Sequence, residues 1–299
     1  MIKEMQLQKT LSAGDFAITC ELTPPRGVEA VGISKIAEGL KGKVHGVNVN
    51  DNPNSNVRMS GLVFSKLLLD LGLEPILEQS TRDRNRIALQ SDLLGAAVMG
   101  IQNVLCMTGD HPSKGDHPEA RKVFDLDSSQ WIKAVSQIRD QGLLLNGKKI
   151  KGKPAFFIGG VVNPFVKNVD LHILRLQNKV AAGADFIQTQ PVFDTDFFQK
   201  WMNRVEEAGL IDRVPILAGV AALKSLKMAE YLRDRVSGFN IPDAIMERLR
   251  SVPEKNQQSE GIQICVEQIK SLQQIKGVRG VHIMSIGSED KIPSILERV

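Results

Sequence analysis

A chain of 299 residues with 42% apolar and 24% charged side chains has ample material for a large core, which excludes global disorder. Its 38 basic and 34 acidic residues leave a formal charge of +4 spread along the chain; this permits anionic ligands, and without an aromatic-interleaved basic patch it gives no case for nucleic acid. No apolar run approaches membrane-spanning length, and Met1 to Thr10 lacks an apolar region followed by a cleavage site, so a cytoplasmic protein with no membrane span is expected.

Taken in order, the chain repeats one alternation. After a short helical start, Phe16 to Leu22 reads as a strand whose end carries Glu21, Thr23, Pro24 and Pro25. A helix follows from Glu29 to Leu40, then a short strand from Gly46 to Asn50 running into the turn-rich Asp51-Asn52-Pro53-Asn54. Met59 to Leu71 reads as a helix with Leu62, Val63, Leu67 and Leu71 as its apolar face, closed by Gly72. A third strand spans Pro75 to Ser80, followed by the charged run Thr81 to Arg86 and a helix to Met99.

The fourth strand is the pivot of the sequence. Val104-Leu105-Cys106-Met107 gives way within three residues to Gly109, Asp110, His111 and Pro112, as expected of a parallel strand buried on both faces that delivers polar groups to a site. The loop beyond it, with Gly115-Asp116-His117-Pro118, ends near Asp127, whose carboxylate is placed to cap a helix carrying Trp131, Val135 and Ile138. Leu143 to Lys153, with Asn146-Gly147, suits a small hairpin before a fifth strand from Ala155 to Val162.

The rhythm continues through a helix from Val169 to Ala182, a strand from Phe186 to Gln190 and a helix from Asp194 to Ala208. Val214 to Ala218 is the seventh strand and Leu223 to Arg235 its helix. Helices around Pro242 to Leu249 and Gly261 to Gln274 precede the eighth strand, Val281 to Ser285. Eight strands alternating with helices, with no low-complexity linker, is the count of a closed (β/α)8 TIM barrel: one α/β domain over 1–299 with its barrel core at about 15–288. A doubly wound open sheet is the alternative, but neither a Gly-x-Gly-x-x-Gly turn nor a Walker loop anchors one.

In such a barrel, residues at the strands' C-terminal ends converge on one mouth. That collects Glu21, Asn50, Glu78, Ser80, Asp110, Asn163, Gln190 and, at the eighth strand, Ser285. Carboxyls gathered there raise one another's pKa, and desolvation raises it further, so one can stay protonated and serve as an acid. Glu21, between Cys20 and Leu22 and ahead of the rigid Pro24-Pro25, is the best placed; the competing reading is a carboxylate tied to an internal arginine or lysine.

Other features carry less. Asp110, His111, Asp116 and His117 could imitate a metal site, but the loop also reads as a turn-rich lid with capping carboxylates, and no metal is assigned. Gly159-Gly160 inside an apolar strand suggests close approach of backbone or of a flat ligand, with a barrel bulge as the equal alternative. Lys179 is a candidate for a ligand phosphate or a solvated helix lysine, and Cys20, Cys106 and Cys265 suit buried inert thiols rather than disulfides.

From about Phe16 onward the chain resembles the methylenetetrahydrofolate reductase family, flavin-dependent (β/α)8 enzymes. The pieces that carry the resemblance are Glu21-Leu22-Thr23-Pro24-Pro25, the run Thr81 to Arg86, Thr108-Gly109-Asp110 with the loop after it, Asn163-Pro164, Lys179 to Ala184, Asp185 to Asp194, and Gly277 to Met284. The resemblance implies hydride transfer from reduced flavin to 5,10-methylenetetrahydrofolate, giving 5-methyltetrahydrofolate. It assigns the general acid to Glu21, a flavin- and pterin-side aspartate to Asp110 and a folate contact to Gln190. Flavin contacts fall on Asn50, Glu78, Asn163, His172, Arg175 and Lys179, with Ser80, Asp110, Gly159 and Gly160 beside them.

The chain departs from the family in several places. Glu78 stands where many members have histidine, Asn50 where threonine is usual, and Gly159-Gly160 near a customary tyrosine; His172 and Arg175 also differ from residues common in FAD-using bacterial members. FMN and FAD therefore both stay open. The pattern resembles the short form of anaerobic bacteria, for which the electron donor is NADH, NADPH or a companion protein bearing iron-sulfur or zinc, and homo- or hetero-oligomers are both open. A reductase of a methanopterin-type carrier and a non-catalytic barrel subunit are the remaining readings; a Schiff-base lyase lacks a strand-end lysine.

Overall fold

A computed structural model describes residues 5–299 apart from 31 and 237. Eight parallel strands close into one barrel in sequence order: β1 (Ala17–Leu22), β2 (Gly46–Val49), β3 (Pro75–Ser80), β4 (Asn103–Met107), β5 (Phe157–Val162), β6 (Phe186–Pro191), β7 (Ile216–Ala221) and β8 (Val278–Met284). Register between β1 and β8, with Ala17 opposite Gly280 and Cys20 opposite Ile283, completes the closure. Among the described residues the helices are α1 (Gln6–Ala13), α2 (Ile33–Leu40), α3 (Gly61–Asp70), α4 (Arg86–Val98), α5 (Ser128–Gln141), α6 (Val169–Ala182), α7 (Thr195–Glu207), α8 (Leu226–Arg235), α9 (Asp243–Ser251), α10 (Glu254–Leu272) and α11 (Ile292–Leu296).

The expected (β/α)8 barrel is thus the fold, and its local devices follow from the sequence. Asp127 caps α5 in a reciprocal box: its carboxylate accepts from Gln130 N at 2.8 Å while Gln130 Oε1 accepts from Asp127 N at 2.9 Å. Leu143 pairs antiparallel with Lys149 around Gly147, which sits at φ 80° as the expected hairpin turn requires. Cys20, Cys106 and Cys265 are free and buried.

Several boundaries moved, the helix expected from Gly261 most of all, since it begins at Glu254. The helix expected from Glu29 begins at Ile33, and residue 31 within that expectation lies outside the described residues, as do the first four of Met1 to Thr10. β5 begins at Phe157, β7 runs from Ile216 to Ala221 rather than from Val214 to Ala218, and β8 starts three residues before Val281, just after the turn at Gly277. The buried face of α3 is also not the one apolar counting selects. Gly61, Phe64, Ser65 and Leu68 face inward, while Val63 and Leu67 are 49% and 37% exposed. Gly61 and Ser65 share that face with Phe64 and Leu68, and a Cβ on Gly61 would make ordinary contact at 3.6 Å with Asn50 O and Val49 Cγ1.

Alternation along the strands divides the core in two. One set of side chains packs outward beneath the helices, a layer that includes Cys20, Val47, Val104, Ile158, Ile187 and Ile283. The other fills the lumen, whose lower end is an apolar plug of Ala17, Ile76, Leu105, Phe157, Phe186 and Leu217 covered by Leu7 and Leu11 of α1. The Phe157 and Phe186 rings stack there at 5.2 Å. Above the plug the lumen turns polar.

Candidate active site

Inward-facing positions above the plug bring together Thr19 and Glu21 of β1, Asn48 of β2, Glu78 of β3, Gln188 of β6 and His282 of β8, with Asn50 just beyond β2. Burying such groups is costly unless they satisfy one another, and here they do. Asn48 Nδ2 donates to Glu78 Oε1 at 3.0 Å and to Gln188 Oε1 at 2.8 Å. Gln188 Nε2 returns a bond to Asn48 Oδ1 at 3.0 Å and donates to Thr19 Oγ1 at 3.3 Å. Thr19 Oγ1 lies 3.0 Å from His282 Nδ1, and His282 Nε2 is 3.9 Å from Glu21 Oε2.

Asn50 closes the circuit. Its Nδ2 donates to Glu21 Oε2 and to Glu78 Oε2, each at 3.3 Å, while its Oδ1 accepts from Thr23 Oγ1 at 2.9 Å. The other oxygen of Glu21 accepts from Ser285 N at 3.1 Å. Burial pushes the Glu21 carboxyl above its ordinary range, opposed by the bonds from Asn50 and Ser285. Burial likewise raises Glu78 to about 7, with the bond from Asn48 opposing and the charge of Glu21 adding to the rise. Desolvation lowers His282 to about 3, so it is a neutral imidazole near physiological pH and no counter-ion for Glu21. The reading of Glu21 as tied to an arginine or lysine does not hold among the described residues.

This layer forms the floor of a cavity of about 240 Å³ that opens at the strands' C-terminal ends. Leu105, Met107, Val161 and Met284 supply apolar wall; Asn50, Glu78, Gln188 and Gln190 supply amide and carboxyl groups. Apolar surface for the faces and hydrogen-bonding groups for the edges is what a flat heteroaromatic ring requires, so the residues present fit the ring system of a flavin or a pterin.

Two loops roof the mouth. The loop after β2 takes φ 48° at Asn52, 52° at Asn54 and 58° at Ser55, conformations for which Asn is suited and Ser less so. Ser55 Oγ donates to Asp110 O at 3.1 Å, and Gly115 packs so tightly on Ser55 that a Cβ there would lie 1.9 Å from Ser55 O. Asp116 accepts from Val57 N at 3.2 Å and from Arg26 Nη2 at 3.0 Å. The Gly115–Asp116 stretch thus clasps the β2 loop.

The expected residues divide. Glu21, Asn50, Glu78, Asp110 and Gln190 all line the cavity. Asp110, however, is a rim residue, half exposed and 3.4 Å from Lys114 Nζ; of the carboxyls expected at the mouth, the one linked to Glu21 through Asn50 is Glu78. Ser80 lies behind the wall, donating from N and Oγ to Asp51 Oδ2 at 2.8 and 2.9 Å. Asn163 turns back to accept from Phe165 N at 2.9 Å.

Gly159 faces the plug, where a Cβ would meet the Phe186 ring at 2.4 Å and Leu105 Cδ1 at 2.6 Å; Gly160 faces Ile132 and Ile187 in the helix layer. His172 and Arg175 sit together on the surface of α6 with Nε2 and Nη1 3.4 Å apart. Lys179 is buried against the sheet, its Nζ donating to Ser128 Oγ at 2.5 Å, and burial lowers its pKa.

Sequence reasoning missed Thr19, Asn48, Gln188 and His282. The signal was available: each of Thr19, Asn48 and Gln188 stands two residues before a strand-end candidate, hence on the same face of its strand.

Comparison with known proteins places this geometry in a family. The family model "Methylenetetrahydrofolate reductase" matches residues 6–299. A probable methylenetetrahydrofolate reductase (NADPH) of Caenorhabditis elegans is 22% identical over 302 residues, covering 98% of this chain and 43% of that protein. Methylenetetrahydrofolate reductase 1 of Schizosaccharomyces pombe is 30% identical over 206 residues, covering 67% of this chain and 31% of that protein. The chain therefore spans less than half the length of these two relatives. A solved structure of an uncharacterized protein from Clostridium thermocellum that binds two copies of 5-methyl-5,6,7,8-tetrahydrofolic acid superposes with a TM-score of 0.66 at 20% identity, covering 97% of this chain and 96% of that one.

Proposed function

The chain belongs to the methylenetetrahydrofolate reductase family, and we propose that it is an oxidoreductase that reduces 5,10-methylenetetrahydrofolate to 5-methyltetrahydrofolate. The observation that carries this reading is Glu21 at the floor of a mouth walled by amides and thioethers, its carboxyl raised above the ordinary range by desolvation and bonded to the Asn50 amide and the Ser285 N–H. A flavin, FMN or FAD, supplies the hydride when bound. Asn50 and Glu78 would hold its ring system, and His172 and Arg175 of α6 are the residues proposed for its phosphate-bearing chain.

Glu21 serves as the general acid. Reduction of the bridging methylene carbon requires its bond to N10 to break, and that nitrogen leaves more readily once it receives a proton. Desolvation favours the protonated form of Glu21 against the opposing bonds from the Asn50 amide and the Ser285 N–H, and no lysine or arginine pairs with it among the described residues. Asp110 and Gln190 at the rim are the pterin-reading pair: a carboxylate accepts from amino and ring N–H groups, and an amide both donates and accepts. Leu105, Met107, Val161 and Met284 exclude water beneath them.

The reading is tested by the visible spectrum of the purified protein. Flavin bands that are bleached by a reductant and restored by methylenetetrahydrofolate are expected, and chromatography of the released cofactor separates FMN from FAD. Reduction by NADH, by NADPH or by neither distinguishes a nicotinamide donor from a companion protein. A colourless protein that takes up neither FMN nor FAD overturns the proposal.

A further inference from the structure

We propose that the turn after β8 returns the proton to Glu21: once Glu21 has given its proton to the substrate, Glu289 passes one on through the Ser285 hydroxyl. This deepens the function proposed above, resting on Glu21 as the acid, and it adds two residues that do not line the cavity.

An acid that gives up a proton in each cycle must regain one before the next. Glu21 lines the cavity, so a ring system seated there covers it from the mouth. Its other side leads outward through the turn. The Ser285 hydroxyl stands 3.4 Å from Glu21 Oε1 and 3.1 Å from Glu289 Oε1. Ser285 is buried, Glu289 is half-buried, and neither lines the cavity. The three groups thus connect the floor of the site to solvent by a path that a ligand in the cavity leaves open.

The backbone is shaped for this contact. Ile286 and Gly287 take φ 43° and 73° in succession, and Ser288 N donates to Ser285 O at 2.9 Å, which turns the chain so that Glu289 reaches back to Ser285. For a β-branched residue such as Ile286 that conformation is an outlier, of a kind that clusters at functional sites. No lysine or arginine pairs with Glu289 among the described residues; the nearby Lys291 pairs with Asp290 at 2.9 Å. Burial raises the Glu21 carboxyl and the charge of Glu289 adds to the rise, so the two groups sense each other.

Ser285 has one hydroxyl hydrogen and two lone pairs, so it donates to one carboxyl while accepting from the other. With Glu21 ionised and Glu289 protonated, the Ser285 O–H bond breaks as an O–H bond forms on Glu21 Oε1, and the Glu289 proton moves to Ser285 Oγ. Glu289 is left as a carboxylate and takes its next proton from solvent; no electrons are exchanged. The leg to Glu21 is long for a hydroxyl bond, and such contacts commonly tighten in the substrate complex.

The experiment measures steady-state reduction of methylenetetrahydrofolate by flavin-loaded protein at low buffer concentration, with a reduced viologen dye as electron donor, for the parent, Ser285→Ala and Glu289→Gln. Ser285→Ala keeps the peptide N–H from which Glu21 accepts and removes only the hydroxyl. Each variant should turn over at least about tenfold more slowly than the parent. Imidazolium added at rising concentration should restore the rate of both, because a small acid replaces the missing path, while the parent should not respond to it. The double variant should be no slower than the slower single one, since both residues lie on one path. Variants as fast as the parent at low buffer overturn the proposal, and so does a loss that imidazolium does not relieve, which marks a structural part. If Ser285→Ala does not hold flavin, Glu289→Gln decides alone. A flavin-loaded parent that fails to reduce methylenetetrahydrofolate, or a Glu21→Gln variant as fast as the parent, overturns Glu21 as the acid and the relay with it. A parent that works through Glu21 while the Ser285 and Glu289 variants match it overturns the relay alone.

Discussion

Arg84 holds Asp51 through two hydrogen bonds, Nη1 to Oδ2 at 2.7 Å and Nη2 to Oδ1 at 3.1 Å, and the same Oδ2 accepts from the N and Oγ of Ser80. This pair ties the loop that roofs the mouth to the end of β3. Asp51 is 2% exposed in its side chain, so its charge depends on the arginine.

Removing Arg84 strands that charge. Breaking a buried pair from one side typically costs about 3–5 kcal/mol, and Arg84→Met is expected to lower stability by roughly that amount in urea denaturation. Adding Asp51→Asn to it should recover part of the loss, since the uncompensated charge is then gone. A change below about 1 kcal/mol in the single variant would show the pair to be ornamental.

Glu21→Gln tests the acid. The amide keeps the shape and an acceptor for Ser285 but has no acidic proton. Flavin content and reduction by the donor should be nearly unchanged, while folate reduction slows by at least about a hundredfold. Stopped-flow measurement of the two half-reactions separates the cases: equal losses in both mean a structural glutamate, and no loss in the second removes Glu21 as the acid.

The buried ionisable groups give stability two opposed pH slopes. Glu78, raised to about 7, binds more protons in the folded than in the unfolded chain between about 4.5 and 7, so its contribution is full below that window and is lost as pH rises through it. His282, lowered to about 3, binds fewer protons when folded between 6.5 and about 3, so its contribution is present above 6.5 and is lost as pH falls. Thermal melts of His282→Gln should therefore lose less stability than the parent between pH 6 and pH 4. Parallel melting curves for the two proteins would show that His282 is not the group responsible.

Gly159→Ala should destabilise the barrel by overpacking, at about 1–3 kcal/mol, because its Cβ would sit 2.4 Å from the Phe186 ring. Phe186→Leu in the same chain should recover part of that loss. If instead the alanine variant is as stable as the parent but no longer takes up flavin, the glycine serves a ligand and not the plug.

How much of this was written in the sequence can be judged residue by residue. The alternation of strands and helices, the Asp127 cap and the Asn146-Gly147 hairpin are set by near neighbours, through periodicity, side-chain capping and turn chemistry, and these stood in the sequence before any coordinates. So did the strand-end positions of Glu21, Asn50, Glu78, Asp110 and Gln190, since a closed parallel barrel carries every such position to one mouth.

What lies across the lumen was not legible. The inward face of α3 carries Gly61 and Ser65 beside Phe64 and Leu68, and hydropathy counting passes over such small residues. The Gly159-Gly160 doublet admitted a ligand, a bulge or a neighbouring side chain, and only the placement of Phe186, 27 positions away, filled the space. Most of all, the acidic partner of Glu21 is Glu78, 57 positions further along, reached through Asn50. Hydrogen bonds between strands depend on barrel register and on which side chain rotates toward which, and those are settled only when all eight strands close together.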